Sequence, residues 1–182
     1  MTETPDGAGR PTFTIIVPTH NEAADIGATC DALLALAPAP DEIIVVDGAS
    51  TDGTRDVIRR HPVGPSTRLI EEGSQRGVAA ARNRGARVAT SDILIFLNAD
   101  VRLPPDFLLR LSSHYEHGAD YVAVDSVILN TEAAYGRFLE AQHQHLYGAD
   151  RPVGWTEGFS CRRTLALDAG LFAETLPGAG GE

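Results

Sequence analysis

Residues 13–22, Phe-Thr-Ile-Ile-Val-Pro-Thr-His-Asn-Glu, pass from a continuous apolar, β-branched run straight into proline, hydroxyl, imidazole, amide and carboxylate groups. A run such as Phe13–Val17, without polar alternation, fits a strand buried on both faces, as in a parallel sheet. Ile43–Val46 and Ile93–Leu97 repeat the pattern, with a weaker strand at Arg68–Glu71 and a later one at Tyr121–Leu129. Helical patterns lie between them. Ile26, Cys30, Leu33, Leu34 and Ala37 form an apolar stripe, with Asn21 placed as its N-cap. Asp52–Arg60 is a shorter helix. Val78, Ala81, Gly85, Val88 and Ala89 make a stripe of small residues suited to close helix–sheet packing. Phe107, Leu111 and Tyr115 follow the helix-starting pair Pro104 and Pro105, and Glu132–Tyr147 reads as a further helix. This strand–helix alternation predicts an α/β fold with a mainly parallel central sheet flanked by helices. Right-handed crossovers then bring the strands' carboxyl ends to one edge.

The chain has 182 residues, enough for one domain, expected over 12–182 behind a flexible tail at 1–11. Its formal net charge of -10 argues against nucleic-acid binding and against a polybasic membrane anchor. All 15 basic side chains are arginine, so a P-loop lysine, a lysine Schiff base and a pyridoxal-phosphate lysine are excluded. Cys30 and Cys161 have no metal-site spacing and read as free thiols of a reducing cytoplasm. No signal peptide is visible and no apolar run approaches the roughly 18 residues of a membrane span. The expected location is the cytoplasm, or the periphery of a membrane.

In open α/β sheets, ligands bind beyond the strands' carboxyl ends. Polar groups gather there: Pro18 to Glu22, Asp47 to Thr54, Glu71 to Gly73, and Asn98 to Asp100. The acids Asp47, Glu71, Glu72 and Asp100 suggest a cation site or a ligand rich in donors. No Gly-x-Gly-x-x-Gly occurs, which removes a dinucleotide-binding Rossmann reading. Simpler readings stand beside these: Asp52 as a helix-dipole acid, and Glu71 and Glu72 as a solvated strand end. His114 and His117 share a helix face without a third ligand and read as solvent-exposed. Tyr147 and Trp155 fit either a core or a sugar-stacking surface.

Four segments carry a resemblance: Ile-Ile-Val-Pro-Thr-His-Asn-Glu (15–22), Glu-Ile-Ile-Val-Val-Asp-Gly-Ala-Ser-Thr-Asp-Gly-Thr (42–54), Gly-Val-Ala-Ala-Ala-Arg-Asn-Arg-Gly (77–85) and Ile-Phe-Leu-Asn-Ala-Asp (95–100). In this order and spacing they resemble family 2 glycosyltransferases of the GT-A fold. The resemblance implies that Pro18, Thr19, Asn21 and Glu22 cradle the base and ribose of a nucleotide. It implies that Asp47 contacts the nucleoside and that Arg82 helps hold the nucleotide. Asp100 matches the last acid of the family's Asp-x-Asp signature, which binds Mg2+ or Mn2+ across two phosphates. The implied donor is a nucleotide-diphosphate sugar, UDP- or GDP-linked. The implied acceptor is a lipid carrier, a polysaccharide or a small metabolite, attacked with inversion. A hard cation held by carboxylate oxygen suits a diphosphate leaving group, and without lysine the electrostatic work falls to arginine and metal.

The chain departs from the pattern at three places. Asn98 stands where the signature's first acid is usual, offering a carbonyl oxygen to nucleotide or metal. Gly48 stands where a second acid often follows strand two. The family's catalytic base lies in a Gly-Glu-Asp-like segment, and the sequence given stops at Glu182. Either the chain is truncated there or Glu182 serves as the base. Gly158-Phe159-Ser160 and Arg162-Arg163 match a segment preceding that base, expected to line the acceptor and diphosphate side. Two other readings stay open: a nucleotide-sugar-binding domain without turnover, and a metal-dependent nucleotidyltransferase.

Overall fold

The computed structural model describes residues 10–123 and 158–175. Within them, β1 (Phe13–Thr19), β2 (Glu42–Asp47), β3 (Thr67–Glu71), β4 (Ile93–Leu97), β5 (Tyr121–Ala123) and β6 (Gly158–Arg162) form one sheet in the order β3-β2-β1-β4-β6-β5. β1 pairs in parallel with β2 and β4, and β2 with β3. The helices are α1 (Ile26–Leu34), α2 (Thr54–Arg60), α3 (Val78–Val88), α4 (Phe107–Glu116) and α5 (Arg163–Asp168).

The continuous apolar runs have the expected cause. Alternate side chains of each central strand enter two different cores. Phe13, Ile15 and Val17 join Ile43, Val45, Ile93 and Ile95 beneath α1 and α4, where Ile26, Cys30, Leu33, Leu108 and Leu111 meet them. Ile16, Ile44, Val46, Leu94 and Phe96 face α3. Each such buried aliphatic side chain contributes roughly 1.5–3 kcal/mol from removal of apolar surface. Helix α3 offers Ala81 and Ala86 to this face, and at Gly85 a Cβ would fall 2.5 Å from Ile16 Cγ2. The small-residue stripe is therefore what lets α3 lie so close to β1.

The sheet departs from the expectation in one element. Gly158–Arg162 is a strand, antiparallel to both β4 and β5. Phe159 and Cys161 turn into the α3-side core, while Ser160 points to the opposite face and accepts from Tyr115 Oη at 2.7 Å. Asn21 is not an N-cap: α1 begins at Ile26, and Asn21 sits at φ 57° in the loop ahead of it. Helix α2 begins at Thr54, after Gly53 at φ 100°. Of the later predicted strand, only Tyr121–Ala123 falls among the described residues. The helix expected at Glu132–Tyr147 lies outside them, as does the expected tail apart from Arg10 and Pro11.

Candidate active site

The carboxyl ends of β1 and β2 stand level on one edge, with Thr19 opposite Asp47, and β4 ends alongside. The segments leaving β1, β2 and β4, with the start of α3, enclose a cleft of about 240 Å3. Of the candidate residues, Pro18, Thr19, Glu22, Asn98 and Asp100 line it. His20, Gly48, Gln75, Gly77, Val78, Ala81 and Ala99 complete the wall. The signal for Gln75–Val78 was present. A helix that follows β3 must begin on this same edge, and Gly77 supplies the φ of 87° that turns the chain into it.

Hydrogen bonds fix the loop after β1 to the loop after β2. Gly48 N–H donates to Thr19 O at 2.8 Å, and His20 Nδ1 lies 2.7 Å from Gly48 O. A carbonyl only accepts, so Nδ1 carries the proton and the neutral ring's Nε2 accepts from Asn21 Nδ2 at 3.2 Å. Asn21 Oδ1 accepts from Thr51 N–H at 2.9 Å. The Asn21 amide is thus spent in joining two loops, and the residue is exposed outside the cleft lining. Asp52 makes a second clasp: it accepts from Thr54 Oγ1 at 2.6 Å and from Ala23 N–H at 2.9 Å. Those bonds, the Thr54 hydroxyl first, hold its pKa down at about 2.

Asp47 is fully buried and is not part of the lining. Its carboxylate accepts from Ser50 N–H at 3.0 Å and from Thr19 Oγ1 at 3.4 Å, with Arg55 Nε 3.5 Å away. It supports Thr19 and the β2 loop from beneath, and burial of its charge is compensated by these partners. Glu71 is turned outward to Arg59 and Arg55, whose hydrogen bonds depress its pKa in that order. One carboxylate oxygen of Glu72 is buried with no hydrogen-bond partner among the described residues.

Arg82 lies beneath the cleft wall. It is buried, its Nη2 donates to Asn98 Oδ1 at 2.8 Å, and its guanidinium carbon lies 5.5 Å from the centre of the Phe172 ring. Burial lowers its pKa. Asn83, the next residue on α3, holds Phe172 in place. It accepts from Phe172 N–H at 2.9 Å and donates to Phe172 O at 2.9 Å. On the other side, the buried Thr29 hydroxyl donates to Ala99 O, fixing the turn that carries Asp100.

Asp100 is exposed at the cleft, with Glu22 on the same wall. The pKa of Glu22 is raised, first by burial and then by the charge of Asp100. Among the described residues, no three His, Cys, Asp or Glu side chains cluster as a metal cage. Two mutually repelling carboxylates in one cleft instead fit a hard cation that brings oxygen ligands of its own, as Mg2+ does with a diphosphate. Glu182 lies outside the described residues. The expectation for Arg162 and Arg163 is corrected. Because β6 runs antiparallel, Gly158 pairs with Leu97 at the cleft edge, while Arg162 pairs with Ile93 at the far edge. Arg162 is engaged there by Asp120 and by Tyr115 O. His114 and His117 are both exposed.

A parallel sheet whose outer part reverses direction, flanked by helices, is the GT-A fold. The glycosyl transferase family 2 model matches residues 14–166, and the chain belongs to that family. A PGL/p-HBAD biosynthesis glycosyltransferase of Mycobacterium tuberculosis is 36% identical over 130 residues, covering 69% of this chain and 51% of the relative. A validoxylamine A glucosyltransferase of Streptomyces hygroscopicus is 35% identical over 101 residues, covering 54% and 22%. Among solved structures, a mannosyltransferase of Pyrobaculum calidifontis in complex with GDP-Man and Mn2+ superposes with a TM-score of 0.72 at 30% identity, over 95% of this chain and 50% of that one. The chain thus spans about half the length of the mycobacterial and archaeal relatives. No helix among the described residues is long and apolar enough to cross a membrane.

Proposed function

We propose that the cleft binds a nucleotide-diphosphate sugar with Mg2+ or Mn2+, and that the protein transfers the sugar to an acceptor hydroxyl with inversion. The observation that carries this reading is the convergence of Thr19, Glu22, Asn98 and Asp100 on one cleft at the strand ends. A UDP- or GDP-linked donor is the proposed class, since structures of similar fold hold GDP-Man with Mn2+ or UDP with Mn2+. The proposed acceptor is a lipid carrier, a polysaccharide or a small metabolite, with the reaction at the cytoplasmic side, in solution or at a membrane surface. The proposed domain runs over 12–182.

Within the cleft, Pro18, Thr19 and Gly48 form a floor for the base and ribose. Asp47 acts from below by holding Thr19 and Ser50 in position. Asn21 acts through the loop-to-loop bridge and not by direct contact. Asp100, with Glu22 beside it, would hold the metal, which when bound supplies Lewis-acid stabilisation of the departing diphosphate. Arg82 fixes Asn98 at the back of the cleft. In an inverting displacement a carboxylate must take the acceptor proton, and Glu182 or the acid after it is proposed for that role.

The test is thermal shift against UDP, GDP and other nucleoside diphosphates, with and without Mn2+, on wild type and Asp100→Asn. Ligand stabilisation follows RT ln(1 + [L]/Kd). The expected result is a metal-dependent rise in Tm for one base, lost in Asp100→Asn. A panel with no metal-dependent response rejects the reading. Radiolabelled transfer assayed beside binding separates an enzyme from a binding domain without turnover.

A further inference from the structure

Helix α1 buries one face, Ile26, Thr29, Cys30 and Leu33, and Thr29 is a fully buried hydroxyl within it. A buried hydroxyl needs a partner, and a helical threonine commonly finds one in the carbonyl three or four residues back. Thr29 instead donates to Ala99 O, 70 residues away in sequence. Asn98 O accepts from Val101 N–H at 3.2 Å, so residues 98–101 make a β-turn with Ala99 and Asp100 at its centre. Ala99 O belongs to the central peptide of that turn. The non-glycine residues at positive φ among the described residues are Asn21, Ala49 and Leu171, so Asp100 is not one, and the turn has the type I arrangement. The same closing bond also fits type II, reached by turning the Ala99–Asp100 peptide over, which carries Ala99 O to the other side and Asp100 to a φ of about +80°. Aspartate tolerates positive φ better than most residues, so the turn by itself leaves this peptide weakly held.

We infer that Thr29 is a positioning residue of the cation site: its hydroxyl locks the central peptide of the 98–101 turn and so sets the direction in which Asp100 presents its carboxylate. The inference rests on Asp100, with Glu22 beside it, holding the cation as proposed above. A flip of the peptide reorients the Asp100 Cα–Cβ bond, and a binding constellation tolerates only about 0.5 Å or 10–20° of displacement. The same helix fixes the other acid. Ile26 N–H and Asp25 N–H donate to Glu22 O at 2.9 and 3.1 Å. Two acids of one cleft wall are thus referred to a single element, Glu22 through the N–H groups that start α1 and Asp100 through Thr29 on its buried face. Removing the hydroxyl removes the bond that favours the observed orientation of the peptide over the flipped one.

The test separates the metal's share of nucleotide binding from the rest. Isothermal titration with UDP and with GDP, in EDTA and at saturating Mn2+, is run on wild type, Thr29→Val and Thr29→Ser. The ratio of the two affinities is the gain due to the cation. In Thr29→Val, which keeps the shape and loses the hydroxyl, affinity in EDTA should be unchanged and the gain smaller by about two- to tenfold, the value of one hydrogen bond. Thr29→Ser keeps the hydroxyl and loses a buried methyl, so its Tm should fall while its gain stays at the wild-type value. The free protein supplies a second readout. Relaxation dispersion at the Asp100 backbone amide, which detects exchange on the μs–ms scale, should be quiet in wild type and Thr29→Ser and active in Thr29→Val. If circular dichroism shows that Thr29→Val does not fold, Thr29→Ala set against Thr29→Ser makes the same comparison, since those two differ by the hydroxyl alone. A wild-type gain without the hydroxyl, an equal loss of affinity in EDTA and in Mn2+, or a quiet Asp100 amide in the hydroxyl-free variant would overturn the inference. Failure of wild type to bind either nucleotide, or to bind it more tightly with Mn2+, would instead reject the function proposed above, and the Asp100 amide would then judge the lock by itself.

Discussion

Gly85→Ala tests the packing that places one wall of the cleft. The added methyl would lie 2.5 Å from Ile16 Cγ2, where ordinary contact begins near 3.4 Å. About 0.9 Å must therefore be found against Ile16, which is fully buried in a central strand. Overpacking of this kind costs ~1–3 kcal/mol, while alanine over glycine in a helix interior returns ~1 kcal/mol. The expected net loss is about 1 kcal/mol by urea unfolding at constant m-value. A second variant fixes the cause. Ile16→Ala alone should cost ~2–5 kcal/mol, but in its presence Gly85→Ala should turn neutral or stabilising, because the methyl enters vacated space. The coupling in the double-mutant cycle should reach ~1–3 kcal/mol. Since α3 carries Gly77, Val78 and Ala81 of the cleft and Arg82 behind Asn98, Gly85→Ala should also weaken nucleotide binding. A Gly85→Ala protein more stable by the whole helix-propensity gain, with no coupling to Ile16, would refute the close approach.

Asp52, held at a pKa of about 2, contributes stability that is fully present above the ordinary carboxylate value and is lost as pH falls through about 2. The Tm gap between wild type and Asp52→Asn should be constant from about pH 7 to about pH 5 and close between about pH 4 and about pH 2; a gap that widens on acidification contradicts the clasp. For Glu22 the sign reverses. Its folded pKa is raised, so the ionised form is penalised once pH passes that value, and no penalty exists below the ordinary carboxylate value. Glu22→Gln should raise Tm at neutral pH but not near pH 4. Cys30 and Cys161 are buried thiols pushed up to about 11, leaving about a thousandth as thiolate near pH 8. Neither should react with a thiol reagent before the protein unfolds, and stoichiometric labelling of the folded chain would contradict their burial.

The parallel part of the fold was legible because its signal is local. Phe13–Val17, Ile43–Val46 and Ile93–Leu97 are continuous only because each strand feeds two cores, and the small residues of α3 announced close packing. Gly158–Arg162 was not legible as a strand. Gly-Phe-Ser-Cys-Arg is short, and its alternation becomes visible only when Tyr115, distant in sequence, supplies a partner for Ser160. The same gap misplaced Arg162, since a strand's direction decides which edge its last residue reaches. In the site, position at a strand end was legible: Thr19, Glu22, Asn98 and Asp100 all reach the cleft. Residues whose partners lie within the chain were less legible. Asp47 and Asn21 carry the right chemistry for a ligand but direct it to the chain itself, and no reading of spacing reveals a hydrogen-bond partner across a loop.

The placement of β6 between β4 and β5 fixes an order of events during synthesis. Among the described residues, β6 is the strand that joins the outer edge of β4 to β5, and it is made only when residue 158 and its successors leave the ribosome. An apolar strand edge such as Ile93–Leu97, left without its β6 partner, is a template for pairing with other chains. The last-made of the six described strands inserts between β4 and β5, so β4, already joined to β1, gains its second neighbour only when the rest of this sheet has been made.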